Sequence, residues 1–206
     1  DDKMKVSGEI LNSMISWRRY LHENPELSYK EFRTSCWLQE QIRALGHFEI
    51  KLVGDVSFVA TIKGQKNGKQ NTLAFRADMD ALPVNEETGL PFASRTGGVM
   101  HACGHDVHMA IVLGLAKLLS ENITSFSSKV HLVFQSAEEI PPGGAREIVS
   151  SGVLDGTDAI FGFHIFPFIP VGHIGVSAGA MTASHDIIEL EIYGRGGHGA
   201  IPELSK

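Results

Sequence analysis

Four clusters of residues in this chain carry metal-binding or acid–base chemistry. They are Asp78 and Asp80, the run 101–106 (HACGHD), Glu138 with Glu139, and His164. Cysteine thiolate, neutral imidazole and carboxylate together form the ligand set of zinc and similar divalent ions. Cys103 and His105 are separated by one residue, Gly104, so an irregular loop can point both side chains at one place, and glycine permits the backbone this needs. Two adjacent carboxylates repel each other unless cations offset them. One of the pair can therefore bind metal while the other takes a proton from metal-bound water, which coordination brings toward neutral pKa. Each cluster alone has a plainer reading. Cys103 could be a small buried apolar residue, His164 a core histidine, the glutamates a solvated pair, and the aspartates turn formers. Their common position decides between the two readings.

That position follows from the elements around them. Segments 56–62 and 72–77 read as strands separated by a polar turn at 63–71. The stretch 108–119 reads as a helix, 130–134 and 159–163 as buried strands, and 147–152 as the end of a short helix. Strands alternating with helices predict an α/β fold, a mainly parallel sheet covered by helices on both faces. All four clusters then fall just past strand ends or at the start of the helix that follows, which is the edge where open α/β sheets bind ligands. Ahead of the sheet, Ile10, Met14, Trp17 and Leu21 recur at helical spacing until Pro25. Ser28 and Glu31 have the spacing of a capping box opening a second helix, with Leu38, Ile42 and Leu45 on its apolar face, Cys36 in the core, and Gly46 as its stop. Segment 187–193 alternates as a strand with one wet face. A boundary near Gly179 divides a catalytic domain, 4–179, from the beginning of a second domain, 180–206, and Asp1-Asp2-Lys3 ahead of Met4 reads as a tag remnant.

Composition excludes several functions. The 206 residues carry 18 basic and 24 acidic side chains, a net charge of -6, with a pI near 5.9. That balance argues against a nucleic-acid surface. The longest apolar run, 109–119, contains Lys117 and is too short to span a bilayer. Two cysteines build no disulfide framework and point to a reducing, cytoplasmic setting. Of the ten histidines, His22, His47, His131, His173 and His185 read as structural or surface residues, and His108 as a neighbour of the site. The glycine-rich run 194–202 matches no dinucleotide or phosphate-loop fingerprint, and by pattern alone His198 is an exposed turn residue.

The chain resembles the M20 metallopeptidase family, in its amidohydrolase branch of aminoacylases, hippurate hydrolases, plant auxin-conjugate hydrolases and N-acetyl-diaminopimelate deacetylases. The matching stretches are 18–27 (RRYLHENPEL), 75–83 (FRADMDALP), 101–106 (HACGHD), 137–139 (AEE), 162–164 (GFH) and 196–198 (GGH). The resemblance implies a zinc-peptidase-like catalytic domain followed by the start of a smaller α+β lid and dimerisation domain. It implies two divalent ions (zinc, manganese or cobalt), with Cys103, His105, Glu139 and His164 as ligands and Cys103 able to bridge. Glu138 matches the general base, Asp80 an acid beside the metals with Asp78 a weaker match, and His198 a lid histidine that steadies the oxyanion, often across a homodimer. The substrate implied is an N-acyl amino acid or small peptide cleaved at its amide bond, with a carboxypeptidase- or dipeptidase-like activity as the alternative.

Ser136, Met109 and Glu203 depart from the usual family residues without removing a ligand. A further C-terminal histidine ligand and most of the lid have no counterpart among the 206 residues, which leaves an inactive metal-binding fragment as one reading. A thiol hydrolase with Cys103 as nucleophile and His105 as base is a further rival.

Overall fold

A computed structural model describes residues 4–184, 186–201 and 203. The tag-like residues 1–3, His185 and Pro202 lie outside the described residues. The chain forms two compact units, 1–166 and 167–206, where the sequence placed a boundary near Gly179.

The first unit is a five-stranded sheet with four helices. In chain order these are α1 (Gly8–Glu23), α2 (Phe32–Leu45), β1 (Glu49–Val53), β2 (Ser57–Lys63), β3 (Thr72–Asp78), α3 (His105–Glu121), β4 (Lys129–Gln135), α4 (Gly144–Ser150) and β5 (Ala159–Phe161). The strand order is β1-β2-β4-β3-β5. The ladders β1·β2 and β2·β4 are antiparallel, while β3·β4 and β3·β5 are parallel. Only β2 therefore runs against the other four. The α/β architecture is as the sequence implies, in a mixed sheet whose parallel part holds the chemistry.

Alternation divides the core between the two faces. Phe58, Ala60 and Ile62 of β2, Ala77 of β3, and Val130, Leu132 and Phe134 of β4 pack with Leu38 and Ile42 of α2 and Met109, Val112, Leu113 and Ala116 of α3. The intervening residues Val59, Ala74 and Val133 form a smaller cluster on the opposite face with Ile148 of α4. Phe58 and Phe134 are register partners whose rings stack 4.7 Å apart, a pair contributing about 0.5–1.5 kcal/mol beyond its buried area. The side chain of Met14 fills the space over Gly114, so α1 and α3 approach closely where any side chain at 114 would intrude.

Four expectations need correction. The strand expected buried over 159–163 is β5, which spans only Ala159–Phe161 and has Ile160 and Phe161 exposed. Ser28 and Glu31 do not cap α2, because their side chains bond elsewhere. Instead Glu26 Oε2 accepts the Thr34 N–H at 2.7 Å, meeting a first-turn donor from outside the helix. Cys36 is exposed rather than core, since α2 buries Thr34, Ser35, Leu38, Gln39 and Ile42 on the other side. The described residues of 187–193 form no strand. A strand exists only through a ladder, and Ile188, Leu190 and Ile192 have no ladder partner among the described residues.

Candidate metal centre

The parallel ladder sets the site. Asp78, the last residue of β3, is the register partner of Gln135, the last of β4, and the Met79 N–H extends the ladder to Gln135 O. The segments leaving the two strands, with Asp80 on one and Glu138 and Glu139 on the other, thus emerge side by side. β5 lies against β3 on its far side, and His164 follows it. The helix α3 starts at the same edge with His105. Gly104 precedes it in left-handed backbone (φ 88°), and a Cβ there would collide with the Ile165 side chain. The left-handed conformation favours glycine at 104, and any side chain there would also have to displace Ile165.

Each histidine has its tautomer fixed by an oxygen. His105 Nδ1 donates to the Asp80 main-chain carbonyl at 2.8 Å, which leaves Nε2 as a lone pair. That Nε2 is buried without a hydrogen-bond partner and stands 3.6 Å from Asp78 Oδ2, 3.8 Å from Glu139 Oε1 and 4.0 Å from Glu138 Oε2. His164 Nδ1 donates to Ile165 O at 2.6 Å, and its Nε2 faces Cys103 Sγ at 3.3 Å. His108 is different. It donates from Nδ1 to Asp78 Oδ1 at 2.7 Å and accepts the Ile165 N–H at Nε2, so both of its nitrogens are committed. It holds Asp78, in keeping with its reading as a neighbour of the site.

The potential ligand atoms of Cys103, His105 and His164 lie within 4.8 Å of one another, as do those of Asp78, His105 and His108, and those of His105, Glu138 and Glu139. His105 is common to all three groups. The structure thus brings together Cys103, His105, Glu138, Glu139, His164, Asp78 and Asp80. His198 belongs to the second unit, where its Nδ1 accepts the Ala200 N–H.

The electrostatics describe a place that demands positive charge. Burial pushes the Cys103 thiol up to about 12, aided by Glu139, Glu138 and Asp78. Burial and the charges of Glu139 and Asp78 raise Glu138. Burial opposes a charge on His105, but the bond to Asp80 and the charges of Asp78, Asp80 and Glu139 outweigh it and raise its pKa. Burial likewise works against ionised Asp80, yet His105, Ser28 and the Glu139 and Glu138 amides hold its carboxyl down at about 2. A divalent ion fits this donor set. Lone pairs of nitrogen, sulfur and oxygen converge, Glu139 Oε1 and His105 Nε2 are both buried and unpaired, and His105 and His164 donate their other N–H to carbonyl oxygens, as metal-binding histidines do.

Sequence reading missed the support around these groups. Ser28 Oγ donates to Asp80 Oδ2 at 2.7 Å, and the same oxygen accepts the Glu139 N–H at 3.0 Å. Glu31 Oε1 accepts the Ala137 N–H at 2.7 Å. Asp106 Oδ2 accepts from Arg18 Nε and His22 Nδ1, both at 2.8 Å, tying α1 to the first turn of α3. The stretches 18–27 and 101–106 carry the latter signal, since they supply both ends of that network.

An α/β sheet with imidazole, thiol and carboxylate groups gathered at its carboxyl edge has the donor chemistry of a site for divalent cations. Comparison with known proteins agrees. The description "Peptidase family M20/M25/M40" matches residues 74–204, and the chain belongs to that family. It is 44% identical over 198 residues to an N-acyl-L-amino acid amidohydrolase of Geobacillus stearothermophilus, covering 96% of this chain and 53% of the relative. It is 47% identical over 197 residues to an N-acetylcysteine deacetylase of Bacillus subtilis (strain 168), covering 93% and 50%. Among solved structures it resembles the Bacillus subtilis YXEP protein, described as a dinuclear metal-binding peptidase of family M20, with a TM-score of 0.78 and 43% identity over 84% of this chain and 48% of that one. The chain spans about half the length of the curated relatives it matches.

Proposed function

We propose that this chain supplies the metal-binding half of a hydrolase that cleaves the amide bond of N-acyl amino acids or small peptides. The observation that carries the reading is the convergence of three carboxyl groups, those of Asp78, Glu138 and Glu139, on His105 Nε2, with the Cys103–His164 pair beside it. Cys103, His105, Glu139 and His164 are the residues that would hold two divalent cations, drawn from zinc, manganese or cobalt. When bound, such ions supply Lewis acidity, making water a nucleophile at neutral pH and polarising the scissile carbonyl.

The chain's own residues do the rest. Glu138 is half-exposed while its neighbour Glu139 is more enclosed, so Glu138 is the carboxylate free to accept a proton from water and return it to the leaving amine. Asp80 fixes the His105 ring through its carbonyl and the Glu139 backbone through its carboxylate. Asp78, held by His108 and Arg76, adds negative charge beside His105. His198 would stabilise the oxyanion, and segment 180–206 would begin a lid through which the protein dimerises. The free thiols of Cys36 and Cys103 support a reducing cytoplasm, and among the described residues no helix is long and apolar enough to cross a membrane.

The thiol-hydrolase alternative is disfavoured, because a nucleophilic cysteine needs a lowered pKa and Cys103 has a raised one. The test is Glu138→Gln in the full chain, assayed on N-acyl amino acids and dipeptides with metal content measured. Turnover should fall by about 10²–10⁴-fold, the range for losing a general base, with metal retained. Undiminished turnover with metal bound refutes the base assignment, and full activity after chelation refutes the metal reading.

A further inference from the structure

We infer that Glu31 is a positioning residue for the Glu138–Glu139 pair, acting through the backbone of Ala137. The inference rests on the metal-centre reading above and adds a residue to it. Ala137 immediately precedes the two glutamates and has left-handed backbone (φ 47°), a conformation that an alanine adopts only when its surroundings impose it. It is completely buried, so its N–H must be paired within the protein. Its partner is Glu31 Oε1 at 2.7 Å. Glu31 is itself completely buried and comes from the segment between α1 and α2, more than a hundred residues earlier in the chain. Its side chain makes no capping bond to α2, and its second oxygen has no hydrogen-bond partner.

Burying a carboxyl group that serves no helix and no ion pair is unfavourable unless the bond it makes has another use. Its use here is to hold the turn from which Glu138 and Glu139 project. The same short loop grips that turn at two further points. Tyr29 Oη accepts the Gly143 N–H at 2.9 Å, and Ser28 reaches Asp80, whose Oδ2 holds the Glu139 N–H. Ser28, Tyr29 and Glu31 thus form a clamp around 137–143, with Glu31 on its most strained residue.

The clamp needs an acceptor at Oε1 and not a charge, so glutamine should replace Glu31 and leucine should not. The test is calorimetric titration of the metal-stripped full chain with Co²⁺, on the parent, Glu31→Gln, Glu31→Leu and the double variant Glu31→Leu/Ala137→Gly. Glu31→Gln should bind Co²⁺ within a few-fold of the parent. Glu31→Leu should bind about 10–100-fold more weakly, the usual loss when an outer partner of a metal ligand is removed. Glycine at 137 needs no holding in left-handed backbone, so the double variant should recover much of the loss. Parent-like affinity in Glu31→Leu, or equal losses in the glutamine and leucine variants, overturns the clamp. If Glu31→Leu does not fold, a folded, Co²⁺-binding double variant supports the clamp, and a double variant that also fails to fold overturns it. A parent that binds no Co²⁺ refutes the metal reading itself, a result distinct from these.

Discussion

Replacing Glu31 with glutamine should change how stability depends on pH, in a direction the structure fixes. Burial raises the Glu31 carboxyl from an ordinary 4.5 to about 7; the Ala137 amide and its own N–H oppose the rise, while the carboxylates of Asp80 and Glu26 add to it. The folded protein therefore favours the protonated form. At about 1.4 kcal/mol per pH unit, the interval from 4.5 to about 7 corresponds to about 3 kcal/mol. The sign follows from linkage. A group with a raised folded pKa contributes its full stability below the unfolded value, and that stability is lost as pH rises through the folded value. Glutamine carries no such proton, and its Oε1 can still accept from Ala137.

The variant should therefore gain on the parent by about 3 kcal/mol between pH 4.5 and 7.5, whatever constant offset the new amide N–H introduces. Urea denaturation of metal-stripped protein across that range measures it, and the change is large beside a typical total stability of about 5–15 kcal/mol. Using the pH dependence of the difference removes contributions from Asp78, Asp80 and Asp106, which are common to both proteins. A difference that stays flat within about 0.5 kcal/mol, or that shrinks as pH rises, would refute the account of Glu31 as a buried, proton-favouring carboxyl.

Two further outcomes follow from the same site. In metal-free protein at pH 8, iodoacetamide should alkylate exposed Cys36 well before Cys103, because burial and the neighbouring carboxylates push the Cys103 thiol up to about 12; peptide mapping by mass spectrometry reads the order, and faster modification of Cys103 would contradict it. Ser28→Ala removes a donor from buried, ionised Asp80 and should destabilise the protein by about 1.5–3 kcal/mol, seen as a lowered urea midpoint at unchanged slope.

The parts of the fold legible in the sequence are those where one physical rule dominates. The strands β2, β3 and β4 are mainly apolar, β-rich stretches bounded by turn residues, and α3 is a long apolar helix behind a glycine. Their order alone placed Asp78, Cys103, His105, Glu138, Glu139 and His164 at one sheet edge, and the register of Asp78 with Gln135 shows how. By contrast β1 was not legible. It is a five-residue edge strand with a single buried residue, Val53, and the alternation of Ile50 and Leu52 with Glu49 and Lys51 is too short to single it out. Segment 187–193 has the alternation but no ladder partner among the described residues, and pattern without a partner makes no strand. Cys36 shows the limit of residue type as a guide to burial, since the phase of α2 is set by Leu38 and Ile42.

The misreading at Ser28 and Glu31 has a physical cause that bears on the site. Serine three residues before glutamate, ahead of an apolar helix, satisfies the local rule for a capping box. Locally, that arrangement would satisfy two orphan donors of α2. Here both side chains are diverted instead, Ser28 to Asp80 and Glu31 to Ala137. The helix loses little, because Glu26 accepts the Thr34 N–H and hydroxyl from outside. What the diversion secures is a left-handed alanine ahead of two adjacent glutamates, in a place where Cys103 and His105 also bring lone pairs together. Local rules and global structure agree across most of a natural sequence, and conflicts concentrate where function imposes its own geometry. A capping box whose two residues both abandon the cap to hold one turn is such a conflict, and it points to the Glu138–Glu139 turn as the part of the fold whose position matters most to the chemistry.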